Sequence, residues 1–247
     1  MTFKRHRRIL YRMSDTVFLR EVASTNDYLK GQIGLRPFDS VAALRQTGGK
    51  GSKGRSFCSP YGGLYLSVYL EPDKDLLPLV TPMAAVAVRR AVRSVLSVDL
   101  GIKWVNDLVK PTLGGYKKVC GILTEGITDD KCRVIVGMGI NVFRSVDGYG
   151  GYDEIVGWLR DGAVDESVLR TLSKVILTEI SRCMDGADFM TEYAQESVLV
   201  GKVVRYVGGD LDGDYYVKEI DARGRMVLEV NNNAVVIDDG EVVLWQK

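Results

Sequence analysis

The chain holds a single histidine, His6, inside the basic opening run Met1–Met13. A Ser-His-Asp mechanism or a histidine-rich metal site would have to use that one residue, so both are set aside. Cysteine is scarce as well: Cys58, Cys120, Cys132 and Cys183 are widely separated and form no C-x-x-C pair. That argues against zinc-ligand spacing and a disulfide framework, and reduced thiols in a cytoplasm fit best. No apolar run approaches the roughly 20 residues of a membrane-spanning helix, and the opening run lacks the apolar stretch of a secretory signal. Neither charge is in excess. Lys plus Arg number 33 and Asp plus Glu 32, so net charge gives no reason to expect nucleic acid or a membrane as the main partner. With nucleophiles, bases and metal ligands this thin, any chemistry must rest on binding and electrostatics.

What is present is ordinary for a soluble globular protein: 46% hydrophobic and 26% charged over 247 residues, enough for one sizeable core and a small appended domain. Val17–Glu21 reads as a strand and Ser24-Thr25-Asn26-Asp27 as a capped helix start. Ser40–Leu44 reads as a second strand. Leu64, Leu66, Val68 and Leu70 alternate with Tyr65, Ser67 and Tyr69, the period of a half-buried strand. Pro82–Leu96 reads as a helix, and Leu169, Leu172, Ile176 and Ile180 as one face of a longer one. Val119–Thr124 and Arg133–Gly137 read as strands joined near Asp129-Asp130, as in a hairpin. Without regular β-α alternation, the pattern predicts an α+β domain with a mixed sheet.

The character changes near Val198. Val203–Tyr206, Tyr215–Ile220, Met226–Val230, Val235–Ile237 and Val242–Trp245 read as short strands separated by Gly, Asn and Asp turns, a small β-barrel. The predicted division is a basic tail over 1–13 (Met13 being a second candidate start), a main domain over 14–197 and the barrel over 198–247.

The most informative segment is Gln46-Thr-Gly-Gly-Lys-Gly-Ser-Lys-Gly-Arg-Ser-Phe57, with four glycines and three cations. Glycine permits close backbone approach, while lysine and arginine neutralise phosphate or carboxylate. Gly49-x-Gly51-x-x-Gly54 satisfies a dinucleotide-binding pattern, and Gly49-x4-Gly54-Arg55-Ser56 approaches a P-loop. Both templates need a helix directly after the glycines. Here Ser59-Pro60-Tyr61-Gly62-Gly63 and a strand follow, so neither survives.

The segment resembles the glycine loop of biotin–protein ligases, usually written Q-T-x-G-R/K-G-R-x-G-R, followed by an aromatic and Ser-Pro. Ser24-Thr25-Asn26, Lys103-Trp104-Val105-Asn106-Asp107-Leu108, Lys118-Val-Cys-Gly121-Ile-Leu123 and Gly137-Met-Gly139-Ile-Asn141 follow the family's order. The resemblance covers roughly Val17 to Asn141 and extends plausibly to the C-terminal part. It implies a class II aminoacyl-tRNA synthetase/biotin ligase-like catalytic domain with a small SH3-like β-barrel. It also implies ATP-dependent formation of biotinyl-adenylate, then transfer of biotin to a lysine of a carboxylase's biotin carboxyl carrier domain. Joining two anions calls for positioned cations and amides rather than a histidine.

On that resemblance Lys118 and Lys50 are the catalytic candidates. Ser24, Thr25, Asn26, Gln46, Lys50, Gly51, Ser52, Lys118 and Gly121 are the biotin-binding set, with Ser24, Thr25 and Gln46 on the ureido end and Asn26 supporting the helix start. Arg55, Phe57, Lys103, Asn106, Asp107 and Asn141 form the ATP-binding set. Phe57 takes the place of the family's frequent Trp, against adenine. Asp107 is the candidate Mg²⁺ ligand, an oxygen-seeking cation held by a carboxylate and substrate phosphates. Trp104 also fits a plain core aromatic, and Ser24-Thr25-Asn26 a plain helix cap.

Two departures stand out: Ser52 replaces the usual second Arg of the loop, which should loosen the grip on the adenylate, and Val105 replaces a Pro. A lipoate ligase and a non-catalytic biotin-binding regulator are the rival readings. The few residues before Met13 are too short for a helix-turn-helix module, so no specific DNA binding is expected. A homodimer is left open.

Overall fold

The computed structural model describes residues 15–127, 132–208 and 211–243. The basic opening run, the turn at Asp129-Asp130 and the end of the last expected strand at Trp245 lie outside the described residues.

Strands β1 (Val17–Leu19), β2 (Ser40–Ala43), β3 (Leu64–Leu70), β4 (Gly101–Lys103), β5 (Asp107–Thr112), β6 (Gly115–Ile127) and β7 (Arg133–Ile140) form one sheet, ordered β1-β2-β3-β7-β6-β5-β4. Only the β1–β2 pair is parallel. The β6–β7 pairing runs from Cys120↔Ile140 to Ile127↔Arg133, as expected of the hairpin, although β6 is far longer than the sequence period suggests.

Helix α1 (Thr25–Lys30) lies on one face of this sheet. Helices α2 (Val80–Leu96) and α3 (Glu166–Met184) pack together on the other, and short α4 (Met190–Gln195) packs against α2. Strand β3 separates the two layers. Leu64, Leu66, Val68 and Leu70 enter the main core with α2 and α3, whereas Tyr69 joins Leu29 of α1 and Ile135 in a second apolar cluster. All seven β3 residues are therefore buried, not half of them. The alternation reports two different coverings, because α1 returns over the polar side of the strand.

Arg89 of α2 is almost fully buried, yet its guanidinium donates to the Leu100 carbonyl and to Glu192, with Glu196 2.8 Å away. A buried cation of this kind is tolerable only when so fully paired, and the pairing ties α2 to α4.

The C-terminal strands β8 (Val203–Val207), β9 (Gly213–Ile220), β10 (Met226–Val230), β11 (Asn233–Ile237) and β12 (Glu241–Val243) form a second sheet. It is antiparallel, ordered β11-β10-β9-β8-β12, the small SH3-like unit expected. It does not hang free. Val204, Val217, Leu228 and Ile237 join the main core, and the Trp104 indole N–H donates to the Gly224 carbonyl at 2.9 Å. Trp104 is thus the buried core aromatic of the plainer reading. No helix among the described residues is long and apolar enough to cross a membrane.

Candidate active site

Every residue singled out from the sequence as a site residue lines one cavity of about 1550 Å³. Its deep end is built where α1 begins. Ser24 caps that helix, its hydroxyl accepting from the Asp27 amide at 3.3 Å. The Thr25 amide and hydroxyl both donate to Gln46 Oε1, at 2.8 and 3.0 Å. Gln46 Nε2 in turn donates to the Ser59 hydroxyl, which donates to the Phe57 carbonyl, each at 3.0 Å. Beneath them Ser67 of β3 lies 2.7 Å from Thr25 Oγ1 and 2.6 Å from Asn26 Oδ1, with one proton to share between them.

Asn26 does more than support the helix start. Its amide N–H donates to Glu125 at 2.6 Å, and Glu125 also accepts from Lys30 at 2.6 Å, so α1 is tied to β6. Gly137 gives this side chain its room: a Cβ there would strike the Asn26 carboxamide.

The same logic continues along β7. Met138 and Ile140 belong to the core, and Gly137, Gly139 and Asn141 line the cavity, where Met138 also contributes. Gly139 pairs with Gly121 across β6, and the Phe57 ring lies over both, where a Cβ on either glycine would meet it. The Lys118 ammonium sits 5.6 Å from the centre of that ring. Asn141 donates to the Gly157 carbonyl at 3.1 Å, but its own buried Oδ1 has no hydrogen-bond partner. Such an acceptor asks for a donor from a ligand.

The glycine loop is a small hairpin rather than an open strap. Lys50 and Ser56 pair, the Gly51 amide donates to the Arg55 carbonyl at 2.7 Å, and the Phe57 amide donates to the Gly49 carbonyl at 2.9 Å. Lys53, at its tip, takes a left-handed conformation with φ +57°. Ser52 turns inward to Arg55, its hydroxyl accepting from the guanidinium at 3.3 Å.

The loop cations and Lys118 each meet a carboxylate. Lys50 reaches Asp27 at 2.7 Å, Lys53 reaches Asp239 at 3.3 Å, Arg55 reaches Glu241 at 2.8 Å, and Lys118 reaches Asp107 at 2.7 Å. The hydrogen bond that Lys50 donates to Asp27 holds its ammonium above its ordinary pKa. Lys118 lies within ion-pair distance of Asp107 Oδ1 but off the line of a hydrogen bond, which leaves that buried oxygen without one. Lys103 stands opposite Asp107 across β4 and β5, with its pKa pushed down by burial. The Asn106 side chain donates to the Ile122 carbonyl at 2.9 Å and so fixes the turn that presents Asp107.

A single carboxylate that is partly exposed, with one oxygen free of hydrogen bonds, suits a hard cation arriving with phosphate oxygens. No group of three or more His, Cys, Asp or Glu side chains gathers among the described residues to cage a metal by itself.

The sequence missed three parts of this site. Ser59 and Ser67 complete the network around Thr25, and their only signal is polarity inside apolar or turn segments. Residues Tyr152, Ile155 and Val156 form one wall of the cavity. Asp239, Gly240 and Glu241 reach the glycine loop from the second sheet.

A family model, the biotin/lipoate A/B protein ligase family, matches residues 18–141. The chain belongs to that family. It is 31% identical over 219 residues to the bifunctional ligase/repressor BirA of Bacillus subtilis (strain 168), a stretch that is 83% of this chain and 65% of that relative. This chain therefore spans just under two thirds of that protein's length. It is 26% identical over 239 residues to the biotin–[acetyl-CoA-carboxylase] ligase of Mycobacterium tuberculosis (strain ATCC 25618 / H37Rv), covering 90% of this chain and 86% of that one. The biotin protein ligase of Aquifex aeolicus, solved in complex with biotin and ATP, superposes with a TM-score of 0.76 at 25% identity, over 95% of this chain and 100% of that chain. Within the family, residues 18–141 carry α1, the glycine loop, the Lys103–Asp107 turn, Lys118 and the glycine-lined strands, that is, nearly the whole cavity.

Proposed function

We propose that this chain is an ATP-dependent biotin–protein ligase, with residues 14–197 as its catalytic domain and 198–247 as its small SH3-like domain. One observation carries the reading: a neutral hydrogen-bonding pocket at Ser24, Thr25 and Gln46 opens into the same cavity as Lys50, Arg55, Lys103 and Lys118. Biotin has a polar, uncharged ureido head and an anionic tail, and the two ends of the cavity suit them in turn. The family's named members and the neighbour solved with biotin and ATP support the same choice.

In the first step a biotin carboxylate oxygen attacks the α-phosphorus of ATP. The α–β P–O bond breaks and pyrophosphate leaves. Ser24, Thr25, Asn26, Gln46, Gly51, Ser52 and Gly121 hold and orient biotin, while Lys50 and Lys118 sit beside the reacting carboxylate and phosphate and offset their repulsion. Arg55, Phe57, Lys103, Asn106 and Asn141 receive the nucleotide. Asp107 would hold Mg²⁺, which when bound neutralises phosphate charge. In the second step the amine of an acceptor lysine attacks the biotinyl carbonyl carbon, the C–O bond to AMP breaks, and the amine gives up a proton. The acceptor is a biotin carboxyl carrier domain of a carboxylase.

The test is ATP-dependent transfer of biotin to a generic carrier domain, read with streptavidin, alongside pyrophosphate release with biotin or lipoate as the acid. Labelling together with biotin-dependent pyrophosphate is the expected result. Turnover of lipoate alone overturns the reading.

A further inference from the structure

Of the four cation–carboxylate pairs around the cavity, two use carboxylates from the first sheet and its helix, and two use carboxylates from the second sheet. Asp239 and Glu241 lie on the tight turn into β12, and that turn is built to a fixed shape. The Tyr206 hydroxyl donates to the Asp239 carbonyl at 2.6 Å, and the Gly240 amide donates to the Asp239 carboxylate at 2.7 Å. Gly240 has φ +145° and lies against the Tyr206 ring, so no side chain fits there. The neighbouring Asp238 carboxylate instead lies 3.8 Å from Arg225. The two carboxylates nearest the loop are therefore presented, not merely abundant.

Their pairs are also weak. Side-chain exposure is 52% and 81% for Lys53–Asp239 and 56% and 50% for Arg55–Glu241. Solvated ion pairs of this kind contribute little and yield to a polyvalent anion, whose several oxygens bind lysine and arginine together. Both carboxyls are held below their ordinary range, Glu241 by Arg55 and Asp239 by the Gly240 amide and then by Lys53, so both are charged at neutral pH.

We propose that Asp239 and Glu241 are positioning residues of the phosphate subsite: they occupy Lys53 and Arg55 when no ligand is bound and give them up to the nucleotide's polyphosphate, so that the second sheet sets how readily phosphate is captured. The inference rests on the ATP-dependent reading above. It gives the second sheet a part in substrate capture through two side chains that need not touch substrate.

The decisive variant is Asp239→Asn with Glu241→Gln, which keeps shape and removes charge. Its KM for ATP in biotin-dependent pyrophosphate release falls about threefold to tenfold, while kcat and the KM for biotin stay within about twofold. Glu241→Asp, which keeps the charge, behaves as wild type. Inorganic tripolyphosphate, followed by calorimetry, binds the double variant more tightly by a similar factor. Asp238→Asn removes a charge from the same turn but from the side next to Arg225, and shifts tripolyphosphate binding by less than about twofold. An unchanged or raised KM for ATP overturns the proposal, as does an equal gain in Asp238→Asn, which would mean a general field rather than two specific contacts. Should the double variant fail to fold, Glu241→Gln alone carries the same comparison with a smaller shift. Should the wild type release no pyrophosphate, the ligase reading fails, and tripolyphosphate binding still decides whether these carboxylates compete with phosphate.

Discussion

At the α1 end of the cavity, Thr25, Gln46, Ser59 and Ser67 are joined by hydrogen bonds of 2.7 to 3.0 Å, and Thr25, Ser59 and Ser67 are buried. At the loop end, Lys50, Lys53 and Arg55 are held by ion pairs whose side chains are about half exposed or more, apart from a less exposed Asp27. Buried neutral networks are expensive to leave half made, so they fix one geometry and select for a ligand that completes it. Exposed ion pairs cost little to exchange, so they suit a segment that must trade internal partners for a ligand's charge. On the ligase reading proposed above, the first end discriminates and the second captures.

The sharpest way to break that comparison is to remove the cation where the two ends meet. Lys118→Ala should lower pyrophosphate release by about 100-fold or more, the scale of losing one charge-stabilising donor, with the secondary structure retained by circular dichroism. Near-normal release would take Lys118 out of the reaction. Next in size, Gly137→Ala pushes a methyl group into the Asn26 carboxamide. Overpacking of this kind costs about 1–3 kcal/mol, so thermal melting should drop and the KM for biotin should rise together. Gly126→Ala, in the same hairpin with open space around it, should leave both unchanged. If the two alanines behave alike, the α1 end is not the rigid element described.

How much of this was legible varies with the physics of each part. Gly137-Met-Gly139-Ile-Asn141 stands out as a motif in the family's order, and the structure sets Gly137, Gly139 and Asn141 along the cavity. The alternation in β3 misled about exposure, because the sequence cannot show that α1 covers Ser67 and Tyr69. Strands β4 and β5 went unread: β4 has three residues, and Pro111 lies within β5, where proline ordinarily argues against a strand. It is accommodated near the hairpin end, opposite Tyr116. The contact between Arg55 and Glu241 spans 186 positions and has no local signature at all. The members of the neutral network that belong to a motif, Ser24, Thr25 and Gln46, can be read in advance, whereas Ser59, Ser67 and the ion pairs between distant segments emerge only with the fold.

Ser52 tests the capturing end more gently. Its hydroxyl now braces Arg55, and Ser52→Arg would add a cation to the loop. Escape of biotinyl-adenylate, followed as product in a filtrate, should slow by about threefold to tenfold, one added charge-assisted contact being worth about 1 kcal/mol when exposed. An unchanged escape rate would mean that Lys53 already supplies that charge.

The smallest effect is one of pH, and it separates the buried cation from the exposed ones. Burial lowers the Lys103 pKa below its ordinary 10.5 against the opposing pull of Asp107, and the charge of Lys118 adds to the lowering. A depressed ammonium loses its proton as pH rises, before a solvated lysine does. The KM for ATP should therefore begin to climb on the alkaline side at a pH below 10.5. Lys103→Arg keeps its charge throughout that range, so its alkaline limb should move to higher pH while the neutral-pH KM changes less than about tenfold. Identical alkaline limbs in wild type and Lys103→Arg would show that Lys103 does not meet the nucleotide, and would leave capture to the loop and Lys118 alone.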